Sequence, residues 1–190
     1  VWVDEDLSGY CDEDGLGLYL SVESEDGSGT GYLMTDDTGN KKHFDDEGYL
    51  DYVEDSNGNR RFFQRDENNK VISISLDLCD GTEFTQLQLT YTSANGVLKT
   101  VTSVQTGLTA NMYYSSTYNG EATQNTSGFL RKITYTYATN YTYTVSYEYD
   151  STGRLILVKD LKSGAAVNYT YDTTGKVTAI TQYGNATETS

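Results

Sequence analysis

Residues 147–155 read Tyr147-Glu148-Tyr149-Asp150-Ser151-Thr152-Gly153-Arg154-Leu155. The large residues at alternate positions predict a strand with one buried face, because successive side chains of a strand point to opposite sides. The Asp and the Gly that follow predict a tight turn, since an Asp side chain binds nearby backbone amides and Gly adopts positive φ readily. The segment therefore predicts a strand, a turn and a second strand that starts near Leu155.

The second half of this segment recurs along the chain as a short repeat motif. In each copy a Gly, or once an Asn, is followed two residues later by Leu or Val and five residues later by Val or Ile. We expect the first residue of each copy to form a turn; these residues are Gly48, Asn69, Gly96, Gly128, Gly153 and Gly175. Internal repeats of roughly 20–50 residues are typical of stacked repeat folds. No segment has a convincing helical period.

The alternating tyrosines and the repeat motif together predict an all-β fold built as an antiparallel array of β-hairpins. Short strands at regular spacing also occur in sandwiches and closed barrels, but the repeat favours a sheet that grows one hairpin at a time. The two apolar residues of each motif are three apart. They therefore lie on opposite faces unless a bulge intervenes. We expect the first of each pair, Leu155 and Val177 in the last two copies, to be the more buried.

Charge and composition exclude several classes of protein. The chain of 190 residues has a net charge of -15, which argues against nucleic-acid binding, because phosphates require a basic surface. No apolar run approaches the ~20 residues of a membrane span. Cys11 and Cys79 are too few for a disulfide framework, and one bridge or two free thiols are both compatible with the sequence.

The residues with chemical potential form no catalytic or cofactor-binding constellation. We predict no catalytic residue and no cofactor, and we expect His43 to be a solvent-facing strand residue. Asp12 and Asp14 offer oxygen ligands to Ca²⁺ but lack the spacing of a twelve-residue calcium loop, so a hairpin turn is the alternative. Paired carboxylates such as Asp36-Asp37 are better explained by turns than by glycosidase chemistry, which needs two carboxyl groups across a cleft.

A row of tyrosines is the most interesting predicted surface. Tyr141, Tyr143, Tyr147 and Tyr149 share one parity and are therefore expected on one side of the sheet. Exposed rings of this kind stack on sugars, whereas covered rings pack between strands. We favour packing, and keep these four residues as the candidate ligand-facing set.

Residues 147–155 resemble the YD repeat of rearrangement-hotspot proteins, whose unit runs Tyr-x-Tyr-Asp, two residues, then Gly-Arg-Leu. The segment Tyr169-Thr170-Tyr171-Asp172-Thr173-Thr174-Gly175-Lys176-Val177 is similar to it with two conservative changes. The resemblance implies a segment of a spiralling YD-repeat sheet. It also suggests an acidic β-rich N-terminal region over residues 1–43 and a degenerate repeat array over residues 44–190, in one continuous fold.

By resemblance, the chain is a non-catalytic structural scaffold, a fragment of a secreted or cell-surface shell, bacterial in origin, that encloses or presents another polypeptide. Many bacterial relatives carry a toxin with the shell. Some also cleave themselves at a site that relies on Asp and a Pro-containing motif, but this chain has no Pro, so no catalytic residue is carried over. The alternative function is an adhesion module that binds carbohydrate or a host surface protein. We expect the C-terminal edge strand to allow self-association.

Overall fold

The computed structural model describes residues 9–11, 15, 17–25, 29–93, 96–137 and 141–184. The chain divides into two compact units, Val1–Leu87 (unit 1) and Gln88–Ser190 (unit 2). This division does not test the boundary expected between residues 43 and 44, which stays a prediction.

Strands account for all the regular structure of the described ranges. Unit 1 contains the strands β1 Gly9–Cys11, β2 Tyr19–Glu25, β3 Gly29–Thr35, β4 Lys41–Phe44, β5 Leu50–Glu54, β6 Arg60–Arg65 and β7 Val71–Asp77, and β8 Glu83–Tyr91 spans the boundary. Unit 2 contains β9 Leu98–Ser103, β10 Thr109–Ser115, β11 Phe129–Thr136, β12 Thr142–Tyr149, β13 Leu155–Asp160, β14 Ala166–Tyr171 and β15 Val177–Tyr183. These ranges contain no helix, and so none that is long and apolar enough to cross a membrane.

Within each unit, every strand lies beside the strands that precede and follow it along the chain. The pairs of unit 1 from β1 to β7 are antiparallel, and so are those of unit 2 from β9 to β15. The prediction of an all-β array of antiparallel hairpins is confirmed. Because each turn joins neighbouring strands, the pairing is local in sequence.

Most turns between strands follow one design, which the turn after β12 illustrates. The Asp150 amide donates to the Arg154 carbonyl at 2.9 Å, and the Gly153 amide donates to the Asp150 carbonyl at 2.9 Å. The Asp150 carboxylate accepts the amides of Thr152 and Arg154, which lowers its pKa; the Arg154 amide is the largest cause. This arrangement is a three-residue hairpin loop whose last residue has positive φ.

All six residues predicted at motif starts have positive φ in the structure. The angle ranges from 59° at Gly96 to 120° at Gly128. Asn69, at 60°, is the one residue other than Gly with positive φ in the described ranges, and Asn tolerates this conformation better than most residues do. The turn conformation is therefore the same whether Gly or Asn occupies the position.

A β-bulge follows the turn in five copies of the motif. The register shifts opposite Asp51, Ile72, Arg131, Ile156 and Thr178, each of which is the residue directly after the first apolar residue of its motif. A bulge places two residues opposite one, so the alternation of faces is reset. As a result, Leu155 pairs with Tyr149 and Val158 with Tyr147, on one face. Of the two possibilities that the sequence left open, the bulge is the correct one.

The bulge gives each unit two chemically different faces. We call the side that carries both apolar motif residues the motif face and the other side the opposite face. In unit 2 the opposite face carries rows of small polar side chains, such as Thr136 paired with Thr142 and Thr134 with Thr144. Directly paired residues lie on the same face, so the register alone fixes this assignment.

The sheet encloses no hydrophobic core among the residues that the structure describes. Glu54, Thr92 and Ser115 are buried, and no hydrophobic side chain is. Val177 is the more buried residue of its motif pair, as expected, but it is still 51% exposed, and Ile180 is 62% exposed. Their strand, β15, pairs with β14 on one side, and no strand of the described residues packs on its other side. Self-association through this edge stays a prediction.

Candidate functional site

The motif face of unit 2 combines apolar side chains from both residues of each motif with rows of tyrosines. The register places on it, from β10 to β14, the residues Ala110, Met112, Tyr114, Leu130, Ile133, Tyr135, Tyr143, Val145, Tyr147, Tyr149, Leu155, Val158, Asp160, Val167, Tyr169 and Tyr171. Asp160 is the one charged side chain among them, and all are partly exposed. The face therefore offers apolar area together with tyrosine hydroxyl groups.

Three tyrosines of this face have a structural role that the sequence did not reveal. The hydroxyl of Tyr149 donates to the Leu130 carbonyl at 2.9 Å, and that of Tyr171 donates to the Leu155 carbonyl at 2.6 Å. Tyr114 makes the same bond to Leu98 at 2.9 Å. In each case the acceptor is the first apolar residue of a motif, and the bond joins neighbouring strands beyond their paired residues. The only signal in the sequence is that each of these tyrosines precedes a turn.

The four candidate ligand-facing tyrosines differ in exposure. Tyr141 is 47% exposed, but the Lys162 ammonium lies 4.0 Å from its ring centroid and also donates to its hydroxyl. Tyr143, Tyr147 and Tyr149 are only partly exposed. Burial raises the pKa of the Tyr147 and Tyr149 hydroxyl groups. The row is thus a half-covered part of the motif face and not a set of open rings.

Ring contacts explain this partial cover. The rings of Tyr135 and Tyr143 lie 5.6 Å apart between centroids, and those of Phe129 and Tyr149 lie 5.1 Å apart. Both pairs are tilted, a geometry that favours aromatic attraction. The rings therefore pack against their neighbours across the strands.

The opposite face of unit 1 carries a ladder of charged groups. Glu54 accepts from the Lys41 ammonium at 2.7 Å and from the Arg60 guanidinium at 2.6 Å. These hydrogen bonds lower the pKa of Glu54, with Lys41 as the largest cause. Glu54 is 8% exposed, and its two cations supply the compensation that a buried carboxylate needs. These ion pairs connect three neighbouring strands and keep Glu54 deprotonated at neutral pH.

His43 lies on the same face and is not the solvent-facing residue that we expected. Its side chain is 19% exposed. The ring stacks on Tyr52 at 4.8 Å between centroids, and Nδ1 lies 3.3 Å from the Asp51 carboxylate. A Cβ at Gly31 would lie 2.7 Å from the imidazole Nε2. The absence of a side chain at Gly31 therefore makes room for the ring.

The structure supplies no assembled metal centre or nucleophile in its described ranges. There, no group of three or more His, Cys, Asp or Glu side chains is placed to hold a metal ion. The calcium candidates Asp12 and Asp14 lie outside the described residues. Cys79 is a free, exposed thiol. The carboxylate of Asp36 accepts hydrogen bonds from its own turn, as the turn interpretation of that residue predicted.

Comparison with known proteins identifies the fold. No family model and no curated protein matches this chain. Among solved structures, the Tc holotoxin pore of Photorhabdus luminescens matches at 18% identity and a TM-score of 0.58, over 87% of this chain and 9% of that chain. The crystal structure of TcdB2-TccC3-Cdc42 matches at 18% identity and a TM-score of 0.56, over 85% of this chain and 9% of that chain. This chain therefore has the fold of a short segment of Tc toxin chains.

Proposed function

We propose that this chain is a non-catalytic section of a YD-repeat shell and that its motif face lies against a polypeptide that the shell encloses or presents. On this proposal the full protein belongs to a bacterial toxin complex and is secreted or held at the cell surface. The likeness to Tc toxin chains supports the assignment, and TcdB2-TccC3-Cdc42 combines such chains with another polypeptide, Cdc42.

One observation carries the proposal: the motif face is apolar and uncovered. In each of five motifs a bulge turns both apolar residues to the same side, yet no hydrophobic side chain of the described residues is buried. Large contiguous apolar surfaces mark sites of interaction with other molecules. Covering them removes apolar area from water, at roughly 25 cal/mol for each Å². A second polypeptide chain is the partner that matches the extent of this face.

A scaffold role also fits how the polar side chains are used. The carboxylates of Asp36, Asp55, Asp66, Asp150 and Asp172 each accept the backbone amides of their own turns. The carboxylate of Glu54 binds Lys41 and Arg60. A general acid or base must reach a substrate proton, and these groups are committed to the backbone or to cations. They hold the hairpins in shape.

Carbohydrate binding through the tyrosine row is the competing function. A sugar stacks on an open ring face, but Lys162 occupies a face of Tyr141, the most exposed of the four candidate rings. Tyr143, Tyr147 and Tyr149 present only part of their rings. The polypeptide partner is therefore preferred, and glycan binding is an outcome of the test.

The test measures binding of the full chain to reduced, carboxymethylated α-lactalbumin, a permanently unfolded polypeptide, by biolayer interferometry. Val158→Thr changes the motif face, and Leu157→Thr changes the opposite face one residue away. We expect saturable binding that Val158→Thr combined with Val145→Thr weakens roughly five-fold, because apolar contact area is lost. Leu157→Thr should leave the affinity unchanged.

Two results would count against the proposal. Equal weakening by Leu157→Thr would show that the motif face is not the contact surface. No binding of the unfolded polypeptide, together with saturable binding on a glycan array that Tyr141→Ala abolishes, would replace the scaffold function with adhesion. Circular dichroism of each variant checks that the β structure is intact.

A further inference from the structure

The motif face of unit 1 differs from that of unit 2 because basic side chains, among them Lys42 and Arg61, interrupt it. The register places one row of side chains across β2 to β7: Leu20, Met34, Lys42, Val53, Arg61 and Leu76. The adjoining row contains Val22, Tyr32, Phe44 and Leu50. Lys42 and Arg61 therefore project from an apolar surface, with Val53 between them.

These two cations are available to a partner. Both are exposed, and neither forms an ion pair or a side-chain hydrogen bond within the residues that the structure describes. Arg65, on the same face, shows the contrast. Its guanidinium donates to the carbonyls of Asn69 at 2.9 Å and Leu50 at 3.1 Å and lies over the Tyr49 ring. The Arg65 side chain is thus held by contacts within the protein, whereas the charged groups of Lys42 and Arg61 remain open to a partner.

The many carboxylates of unit 1 do not neutralise this pair. A depression of about 280 Å³ beside Lys42 is lined by Met34 and Val53 but also by Asp36, Glu54 and Asp55. Those three carboxylates are already bound: Asp36 and Asp55 by the amides of their own turns, and Glu54 by two cations. Across β3 to β7, the described positions of the motif face carry no acidic residue.

We propose that the motif face of unit 1 binds a polypeptide segment that carries carboxylates beside apolar side chains. Lys42 and Arg61 stand two strands apart, which corresponds to roughly 10 Å. A segment with two carboxylates at about that separation pairs with both cations while its apolar side chains cover Val53 and the adjoining row. This inference rests on the proposed function, because it names the chemistry of the polypeptide that the shell contacts.

The motif face of unit 2, on which the register places no cation, makes the assignment specific. From β10 to β14 the register places no cation on that face, and its one charged side chain is Asp160, opposite Val145. A carboxylate placed there would lose water without compensation and would be repelled by Asp160. The acidic segment is therefore directed to unit 1, and apolar segments without charge suit unit 2. Charge pairs of this kind select register and partner more than they add affinity.

The experiment uses the full chain and a fluorescein-labelled peptide composed of Leu, Ser and Glu, with a second peptide in which Gln replaces each Glu. Fluorescence anisotropy gives the affinity of each. The variant Lys42→Gln with Arg61→Gln removes the two cations. Lys159→Gln with Lys176→Gln is the matched control, since it removes the same charge from exposed positions of unit 2.

We expect the Glu peptide to bind and the Lys42→Gln, Arg61→Gln variant to bind it roughly ten-fold more weakly, the loss of two weak ion pairs. The control variant should bind like the parent. Equal binding of the Glu and Gln peptides, insensitive to Lys42 and Arg61, would overturn this inference. The proposed function would survive that result if the unfolded α-lactalbumin still bound through Val158. Displacement of the peptide by polyphosphate at lower concentration would overturn the choice of a polypeptide partner.

Discussion

Units 1 and 2 are built from the same turn and the same bulge, but they fill the position before the turn Asp differently. In unit 2, Tyr149 precedes Asp150 and donates from its hydroxyl to the Leu130 carbonyl. In unit 1, Arg65 precedes Asp66 and donates from its guanidinium to the Leu50 carbonyl. At these two positions a long side chain therefore donates to the first apolar residue of the preceding motif. Tyrosine is one solution and arginine is another.

The second difference between the units is the chemistry of the motif face. The bulge gives both units an apolar face, but unit 1 adds Lys42 and Arg61 to it, and unit 2 adds tyrosine hydroxyls. The repeat therefore fixes the direction of each side chain and leaves its identity free. A degenerate repeat can in this way present different surfaces on a constant backbone.

Substitutions at the turn glycines Gly153 and Gly48 distinguish the effect of backbone strain from that of steric crowding. Their φ angles are 84° and 86°, but a Cβ at Gly153 would lie 3.2 Å from the Phe129 ring, whereas Gly48 has open space. A side chain at positive φ and a side chain that displaces its neighbours each lower the stability of the folded protein. We expect Gly153→Val to lower the free energy of unfolding by about 3 kcal/mol and Gly48→Val by about 2 kcal/mol, measured by urea denaturation. No loss at Gly153 would contradict the turn geometry.

Replacing Arg65 tests whether unit 1 depends on its substitute for tyrosine. Arg65→Met keeps the length of the side chain but removes the bonds to the Leu50 and Asn69 carbonyls. Hydrogen bonds to charged groups contribute about 1.5–3 kcal/mol, so we expect a loss of about 2 kcal/mol. Arg65→Tyr should recover part of it. If Arg65→Tyr is no more stable than Arg65→Met, tyrosine and arginine are not equivalent at this position of the repeat.

The tyrosine hydroxyl of unit 2 is tested by Tyr149→Phe. This change deletes the bond to Leu130 and keeps the ring that packs on Phe129, so it should cost about 1 kcal/mol. Tyr135→Phe is the control, because the Tyr135 hydroxyl has no hydrogen bond within the described residues. Equal effects of the two changes in urea denaturation would show that the bond to Leu130 adds nothing.

Acid should weaken both units, because both use Asp turns. The pKa of Asp36 falls from 3.8 to about 2, chiefly through the Thr38 hydroxyl, and hydrogen bonds, led by that of the Arg154 amide, also lower the pKa of Asp150. A depressed pKa stabilises the fold above the unfolded value near 4 and ceases to do so as the pH falls towards 2. The thermal midpoint should therefore drop between pH 4 and pH 2. Asp150→Asn should reduce this drop, because the Asn side chain does not titrate, and an unchanged drop in this variant would contradict the role of Asp150.

Much of the fold could be predicted from the sequence because its determinants are local. Asp and Gly specify most of the turns through bonds within five residues, and in the last repeats alternating tyrosines specify the strand before the turn. The presence of the bulge could not be predicted from the sequence, because the inserted residues of the five motifs have no chemical property in common. They are Asp51, Ile72, Arg131, Ile156 and Thr178. Its position depends on pairing with the previous strand, which the motif alone does not reveal.

Burial and the hydroxyl bonds depend on neighbours further away in sequence. Val177 and Leu155 occupy the same place in their motifs, but the strand after β13 packs beside Leu155 and no strand follows β15 in the strand order. Arg65 does not resemble tyrosine, so its equivalent role emerges only from the contact with Leu50. The free cations Lys42 and Arg61 share a row because two strand pairings bring them there, through Val53.

Hydroxyl-radical footprinting of the full chain, with and without reduced, carboxymethylated α-lactalbumin, tests most directly whether the motif face is the contact surface. Tyr147 and Val158 lie on that face, and the adjacent Leu157 lies on the opposite face. We expect the unfolded polypeptide to lower the oxidation of Tyr147 and Val158 and to leave that of Leu157 unchanged. Protection of Leu157 in their place, or no protection of either face at saturating polypeptide, would contradict it.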